Sequence, residues 1–214
     1  MSVGLGYVFV TMQRAWAVDK TMKIQNVLVL DDMLTQEQCD YLINTYRDKL
    51  DKSRADTHLG YEYLDYDCKN DEFMMDLTRI VTDTYSETFP WITTTQTLWG
   101  IGEWRIKRFP PGNSFGVWHS EQNIPYERRM MCMIVYLTDN KCGTEFMATN
   151  EIVESKRGRV VIFPTQWTHA HRGHPDPDGK ERWIMSAYGS LTNFTLRPNA
   201  TTGEPEVVEV VYKK

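Results

Sequence analysis

Apolar residues follow two different periods along the chain. Over residues 36–50 and again over about 72–88, apolar side chains recur at helical spacing. Thr35 and Gln38 form a capping-box pattern at the start of the first segment. The pattern predicts two amphipathic helices, separated over residues 54–70 by an aperiodic loop that could act as a flap over a site.

After the second helix the pattern changes to short strands and turns. Some of these segments alternate apolar and polar residues, and others are almost continuous apolar runs typical of strands covered on both faces. The predicted strands occupy residues 3–10, 24–30, 104–109, 130–137, 158–163, 182–188 and, at an edge, 207–212. Helices followed by many strands predict an α+β, mainly β fold, namely a double-stranded β-helix (jelly roll) buttressed by N-terminal helices.

The length of 214 residues suits a single domain spanning residues 1–214. We expect a helical buttress over about residues 34–90, a jelly-roll core over about 94–190 and a C-terminal tail over 191–214. No run approaches the roughly eighteen apolar residues of a membrane-spanning helix, so we expect no membrane partner. The apolar start lacks a basic segment and a cleavage site, so it is interpreted as a first strand and not as a signal peptide.

The four cysteines, Cys39, Cys68, Cys132 and Cys142, show no C-x-x-C spacing. We therefore expect free thiols in a reducing, cytoplasmic setting. A net charge of −5 argues against general nucleic-acid binding, which requires a basic surface. The charge is uneven, because residues 31–87 hold 15 acidic and 6 basic side chains whereas residues 100–172 hold 7 and 10. The more basic part suits an anionic cosubstrate, although ordinary surface variation explains the difference equally well.

The candidate chemistry lies in this more basic part. His119 and Glu121 are two residues apart, so on a strand they would share one face. Three further histidines, His169, His171 and His174, follow in one short segment. Two imidazoles and one carboxylate on one side of a metal form the facial triad of non-haem Fe(II) oxygenases, with positions left open for substrate and O₂. The H-x-E spacing alone is weak, and the residues alone do not choose between the distal histidines.

Several segments in a fixed order resemble the Fe(II)/2-oxoglutarate-dependent dioxygenases, in particular the prolyl 4-hydroxylase-like branch. The resemblance covers roughly residues 24–190. It rests on the strand-to-helix turn at residues 29–35, the aromatic and glycine turn at 109–113 leading to H-x-E at 119–121, the R…YL strand at 129–137, the G-T-x-F turn at 143–146, the G…FP strand at 158–164, the H-x-G-x-P element at 171–175 and the basic position at 182. The ordered set is far more specific than any one motif.

The resemblance implies a role for each matching residue. His119, Glu121 and His171 would bind Fe(II), with His169 as the alternative distal ligand. Arg182 would bind the distal carboxylate of 2-oxoglutarate through a planar, two-pronged contact, and Tyr136 would donate a hydrogen bond to it. Thr144 is a weaker candidate at the cosubstrate. Arg128, Arg129 and Tyr126 either contact substrate or belong to a solvated loop.

Three departures from the family pattern affect these roles. Glu121 stands where most members have Asp, and its extra methylene still permits metal binding. Phe109 stands where a tyrosine is usual, so one hydroxyl contact to 2-oxoglutarate is lost. One residue is inserted before Arg182, which leaves Lys180 as a second candidate for the cosubstrate's cation.

The activity implied is hydroxylation of a C–H bond coupled to oxidative decarboxylation of 2-oxoglutarate. Fe(II), 2-oxoglutarate and O₂ are the expected cofactor and cosubstrates, and ascorbate is a further candidate. The expected substrate is a prolyl residue of a peptide or protein. A free amino acid or another small molecule is the alternative, and a catalytically silent jelly-roll binding module is an alternative of another class. Because Glu121 is retained, the resemblance does not extend to halogenases, which need that position vacant for halide.

Overall fold

A computed structural model describes residues 25–50, 53–56, 61–67, 72–94, 99–191, 194–198, 202 and 205–209. The predicted first strand at 3–10 and Cys68 lie outside the described residues. The helices are α1 (Gln36–Arg47), α2 (Glu72–Thr88), α3 (Trp91–Thr94) and a 3₁₀ turn (Trp167–His169). The strands are β1 (Leu28–Leu30), β2 (Ser53–Asp56), β3 (Tyr61–Asp67), β4 (Trp99–Phe109), β5 (Arg129–Tyr136), β6 (Gly143–Phe146), β7 (Glu151–Glu154), β8 (Val160–Pro164), β9 (His171–Gly173), β10 (Arg182–Leu191), β11 (Phe194–Pro198) and β12 (Pro205–Glu209).

The two predicted helices are confirmed. The Thr35 hydroxyl accepts a hydrogen bond from the backbone N–H of Gln38, and the Gln38 side chain accepts one from the backbone N–H of Thr35. This reciprocal capping box satisfies two of the amide groups that a helix start leaves without partners. Helix α1 ends at Arg47, three residues before the predicted end at 50.

The predicted loop over residues 54–70 is wrong, because this segment contains β2 and β3. Strand β3 pairs with β4 in antiparallel register, with Leu64 opposite Arg108 and Tyr66 opposite Ile106. This partner of β3 lies about forty residues further along the chain, so a search for helical period misses it, and β2 pairs with β3 in turn. A long-range hydrogen-bonded partner supplies the structure that local pattern did not show.

Two sheets form the β core. The larger sheet has the strand order β1-β8-β5-β10-β4-β3-β2, and the smaller has the order β7-β6-β9. Strands β11 and β12 form a separate pair, so the C-terminal strand predicted at 207–212 does not add an edge to the core. Antiparallel strands in two sheets, with helices preceding them, are the jelly-roll arrangement that the sequence predicted.

The larger sheet buries different side chains on its two faces. Helices α1 and α2 pack on one face through a cluster that includes Leu42, Leu77, Met133, Val135 and Met185. The other face meets the smaller sheet in a second cluster, which includes Ile134, Tyr136, Phe146, Phe163 and Ile184. The alternation along β5 and β10 assigns neighbouring residues to opposite faces. The helices therefore cover the face of the larger sheet that points away from the smaller sheet. The candidate site lies in the space between the two sheets.

Three described cysteines, Cys39, Cys132 and Cys142, are buried free thiols. Burial raises the pKa of the Cys39 thiol to about 11. Within the residues that the structure describes, no helix is both long and apolar enough to span a bilayer.

Candidate active site

His119, Glu121 and His171 meet between the two sheets. His171 opens β9, and a two-residue antiparallel bridge brings His119 beside it through hydrogen bonds of 3.1 and 3.0 Å between their backbones. The carboxylate Oε1 of Glu121 lies 3.5 Å from Nε2 of His119 and 4.0 Å from Nε2 of His171. One potential ligand atom from each of the three residues falls within 4.8 Å of the others, so a single cation could contact all three.

Hydrogen bonds on the far side of both rings orient them toward this common point. Nδ1 of His119 lies 2.9 Å from the carbonyl oxygen of Val117, and Nδ1 of His171 lies 3.0 Å from that of His169. A carbonyl oxygen can only accept, so each Nδ1 carries the proton and each Nε2 keeps its lone pair free. This arrangement fixes the tautomer that an imidazole ligand needs.

The charge state of the cluster also suits a cation. Burial favours the protonated form of Glu121, but the neighbouring His119 and the charge of Lys107 outweigh it and lower the pKa of that carboxyl to about 2. Burial, assisted by the neighbouring His119, lowers the pKa of His171 to about 4. The cluster therefore presents one carboxylate and a neutral His171 imidazole near neutral pH, which are the forms that bind metals.

The other two distal histidines point elsewhere. His169 is buried, with Nε2 2.9 Å from the Gln25 carbonyl oxygen and Nδ1 2.9 Å from the Thr168 hydroxyl. His174 lies 2.7 Å from the Glu145 carboxylate. Of the three histidines that the sequence offered, only His171 enters the cluster with His119 and Glu121.

Arg182 lies at the far end of the same space. It is 4% exposed, its Nη1 donates to the Gly143 carbonyl oxygen at 3.1 Å, and its guanidinium stacks 4.8 Å above the Phe109 ring. Its buried Nε has no hydrogen-bond partner, and no carboxylate among the described residues pairs with it. A buried charge without a counter-ion is costly, so the geometry suits an anionic ligand that supplies one.

Gly173 makes room for this arginine. A Cβ atom at position 173 would lie 2.7 Å from Nη2 of Arg182, closer than real side chains approach. The register of β6 and β9 places Gly173 opposite Thr144. Because Gly173 has no side chain, the Arg182 guanidinium fits between the two sheets. We call this space, bounded by Gly173 and Phe109, the cradle.

Tyr136 is fully buried beside this cradle. Its hydroxyl lies 2.8 Å from the Thr144 hydroxyl and 3.3 Å from the Val153 carbonyl oxygen. Burial raises the pKa of Tyr136 to about 12, so the phenol stays protonated. Lys180, the alternative cation, is exposed in the turn before β10 and does not enter the space between the sheets.

Lys107 and Tyr188 were not among the sequence candidates. The Tyr188 hydroxyl donates to Oε1 of Glu121 at 3.3 Å, and Nζ of Lys107 donates to the Tyr188 hydroxyl at 3.3 Å. Lys107 and Phe109 are two residues apart in β4, so their side chains lie on the same face of the strand. The alternation of side chains along β4 could therefore have identified Lys107 from the sequence. Tyr188 lies on the same face of β10 as Arg182, because an even number of residues separates them. Its position beside Lys107 also requires the β4–β10 register.

Arg129, left open by the sequence, contacts the cluster from the opposite side. Its Nη1 lies 3.4 Å from Oε2 of Glu121, and its guanidinium lies 3.7 Å from the ring centres of both Tyr126 and Tyr188. Arg129 and Tyr126 also line an adjacent cleft of about 380 Å³, which Arg128 and Leu191 border. Arg128 itself donates to the Leu191 carbonyl oxygen and does not reach Glu121.

Comparison with known proteins agrees with this geometry. Residues 105–189 match the sequence profile of the 2OG-Fe(II) oxygenase superfamily. No curated protein matches the sequence. Among solved structures, a Pseudomonas putida prolyl-4-hydroxylase is similar with a TM-score of 0.58 at 17% identity, covering 78% of this chain and 92% of that one.

Two further structures share the fold. The viral collagen prolyl hydroxylase of Paramecium Bursaria Chlorella virus-1, in complex with 2OG, has a TM-score of 0.52 at 17% identity, covering 78% of this chain and 97% of that one. A Trichoplax adhaerens prolyl hydroxylase in complex with a hypoxia inducible factor peptide fragment has a TM-score of 0.57 at 12% identity, covering 78% and 84%.

The matched residues and the fold point to one class of protein. Residues 105–189 carry the profile of the 2OG-Fe(II) oxygenase superfamily, and the chain has the fold of prolyl hydroxylases. That superfamily implies Fe(II), 2-oxoglutarate and O₂. The residues present fit these groups, because the donor set is two imidazoles and one carboxylate and because Arg182 lacks a counter-ion.

Proposed function

We propose that this protein hydroxylates a prolyl residue of a peptide or protein, with Fe(II) bound by His119, Glu121 and His171. The observation that carries the proposal is the convergence of these three side chains with both imidazole Nε2 atoms free to bind. Its fold is shared with several prolyl hydroxylases, one of them in complex with a peptide fragment, which supports a prolyl substrate.

The chain's own residues would position the cosubstrate. Arg182 pairs with the distal carboxylate of 2-oxoglutarate, and the Tyr136 phenol, protonated at neutral pH, donates a hydrogen bond to it. Phe109 packs against the guanidinium and excludes water from that end of the pocket. With the charge matched and the site closed on one side, the cosubstrate binds in a single orientation.

The bound iron would supply the activation of O₂ that links the two half-reactions. One O₂ oxidises 2-oxoglutarate to succinate and CO₂, and its second oxygen atom enters the substrate C–H bond as a hydroxyl group. The chain contributes the buried positive charge of Arg182 and three metal-binding side chains, which would leave positions open for cosubstrate and O₂. Arg129 and Tyr188 hold the Glu121 carboxylate from two sides, which keeps its orientation toward the two histidines.

The substrate is identified by a mass-spectrometric search for products heavier by one oxygen atom. Purified protein with Fe(II), 2-oxoglutarate and O₂ is offered proline-rich peptides in one reaction and free amino acids in another. A hydroxylated prolyl peptide, absent with Glu121→Ala, supports the proposal. Hydroxylation confined to free amino acids supports the small-molecule alternative. Absence of any oxygenated product, with no succinate formed, contradicts both.

A further inference from the structure

One positive side chain in the site has no assigned role. Lys107 lies on β4 directly opposite Ile184 of β10, two pairs along from Phe109 and Arg182 and therefore on the same face. Its Nζ is 3.3 Å from the Tyr188 hydroxyl, which is itself 3.3 Å from Oε1 of Glu121. The Lys107 ammonium group is therefore connected to the metal-binding cluster through the Tyr188 hydroxyl, and it lies on the larger sheet.

Among the side chains that the structure describes, Lys107 has no ion-pair partner, whereas the other cations of the site have a counter-ion or would acquire one. Arg129 lies 3.4 Å from the Glu121 carboxylate. In the proposed function, the distal carboxylate of 2-oxoglutarate neutralises Arg182. No carboxylate whose side chain the structure describes forms an ion pair with Lys107, which donates a hydrogen bond to the Tyr188 hydroxyl. A half-buried ammonium group next to a metal site is destabilised unless an anion joins it.

The charges near the metal favour such an anion. Glu121 carries one negative charge, whereas Lys107 and Arg129 flank it with two positive ones and Fe(II) would add two more. Both carboxylates of 2-oxoglutarate are needed by Arg182 and the metal in the proposed function. A neutral prolyl ring flanked by neutral residues would leave the charge of Lys107 unmatched.

We infer that Lys107 binds a carboxylate of the primary substrate and so selects prolyl substrates that carry one close to the carbon that reacts. The inference rests on the proposed function, whose substrate class it narrows. Two sources supply this chemistry: the α-carboxylate of a free amino acid or of a chain end, and the side chain of Asp or Glu beside the target in a peptide. A lysine contacts either one as a point charge.

Matched ligand pairs test the inference by binding. Calorimetric titrations are made without O₂ on protein loaded with Fe(II) and 2-oxoglutarate. The first pair is L-proline and L-prolinamide, and the second is a short prolyl peptide flanked by Asp and the same peptide flanked by Asn. In at least one pair, the wild type should bind the ligand that carries the carboxylate about tenfold or more tightly than the ligand that carries the amide. One charge-assisted hydrogen bond provides a difference in affinity of this size.

Substitutions at Lys107 then test whether this residue causes the preference for the carboxylate. Lys107→Met keeps the aliphatic stem and should abolish the preference, whereas Lys107→Arg keeps the charge and should retain most of it. Lys49→Met, at an exposed lysine after α1, is the matched control and should behave as the wild type. A hydroxylation assay on the preferred pair should show the same order of variants.

Three results overturn the inference. The wild type could bind neither member of either pair or bind both members equally, the preference could survive Lys107→Met, or Lys107→Met could weaken 2-oxoglutarate instead of the substrate. Failure of the proposed function shows separately, as a wild type that binds no Fe(II) or 2-oxoglutarate at all. In that case the same two pairs, titrated on the metal-free protein, still decide whether Lys107 selects a carboxylate.

Discussion

Replacing Arg182 with leucine should separate cosubstrate binding from stability. The buried guanidinium has an unpaired Nε and one 3.1 Å bond to the Gly143 carbonyl oxygen. A charge-assisted hydrogen bond contributes about 1.5–3 kcal/mol, and loss of a two-pronged pair from a dry pocket lies at the upper end, on the order of a hundredfold in affinity. Arg182→Leu should therefore raise the KM for 2-oxoglutarate by about that factor.

The same change should affect the ligand-free protein little. Loss of the bond to Gly143 costs about 1 kcal/mol, and removal of a buried charge without a counter-ion offsets much of it. Ligand at one hundred times its Kd stabilises a protein by about 2.7 kcal/mol, and the same concentration at a hundredfold weaker Kd gives about 0.4 kcal/mol. Arg182→Leu should thus lose most of the thermal stabilisation that 2-oxoglutarate with Fe(II) confers.

The assay is thermal unfolding without O₂, with and without 2-oxoglutarate, alongside KM measurements. Lys180→Leu is the matched control, because Lys180 is exposed in the turn just before the same strand. It should retain both the stabilisation and the KM. If Lys180→Leu raises the KM and Arg182→Leu does not, the assignment of the cosubstrate's cation is refuted.

Three further predictions concern the metal, the pH response and the cradle. His171→Ala should abolish Fe(II) binding in a metal titration, whereas His169→Ala should leave Fe(II) affinity intact and lower only the melting temperature, since its ring contacts backbone and a hydroxyl. Asp31 forms a two-pronged pair with Arg159, and this pair lowers the pKa of Asp31 below the ordinary 3.8. Its contribution to the free energy of unfolding should therefore be present above pH 3.8 and be lost as pH falls through the lowered value. Because the pair is partly exposed to solvent, Asp31→Asn should remove about 1 kcal/mol or less at neutral pH and flatten that acid-dependent loss, as denaturant unfolding at several pH values would measure. Gly173→Ala should press on the cradled guanidinium and raise the KM for 2-oxoglutarate less than removal of the arginine does, and an unaltered KM would contradict the cradle.

Much of the fold was accessible from local pattern. The helices follow from periodicity and from the capping box at Thr35, and the apolar runs mark the strands at the centre of the larger sheet. Strands β2 and β3 were not predicted, because β3 depends on pairing with the distant β4 and β2 in turn pairs with β3. The pairing of β11 with β12 likewise needed the three-dimensional arrangement to be seen.

The candidate site also contains residues that the sequence predicted and residues that only the structure shows. His119, Glu121, His171, Tyr136 and Arg182 carry recognisable spacings, and the structure brings the first three together and places the last two in the adjoining pocket. Their roles as ligands remain proposals. The H-x-G-x-P resemblance favoured His171 over His169, and the structure adds the distant partner that holds His169 away from the cluster, the Gln25 carbonyl oxygen. Alternation along β4 places Lys107 on the same face as Phe109, but its contact with Tyr188 depends on the β4–β10 register.

The central claim is that the convergent histidine and glutamate side chains make this chain a 2-oxoglutarate oxygenase. The most direct measurement is NMR detection of succinate formed from 2-oxoglutarate by the purified protein with Fe(II) and O₂, compared with Glu121→Ala and with an O₂-free reaction. We predict succinate from the wild type alone, in an amount that increases when the correct carboxylate-bearing substrate is added. Equal succinate from wild type and Glu121→Ala, or none from the wild type with any substrate, would contradict the account.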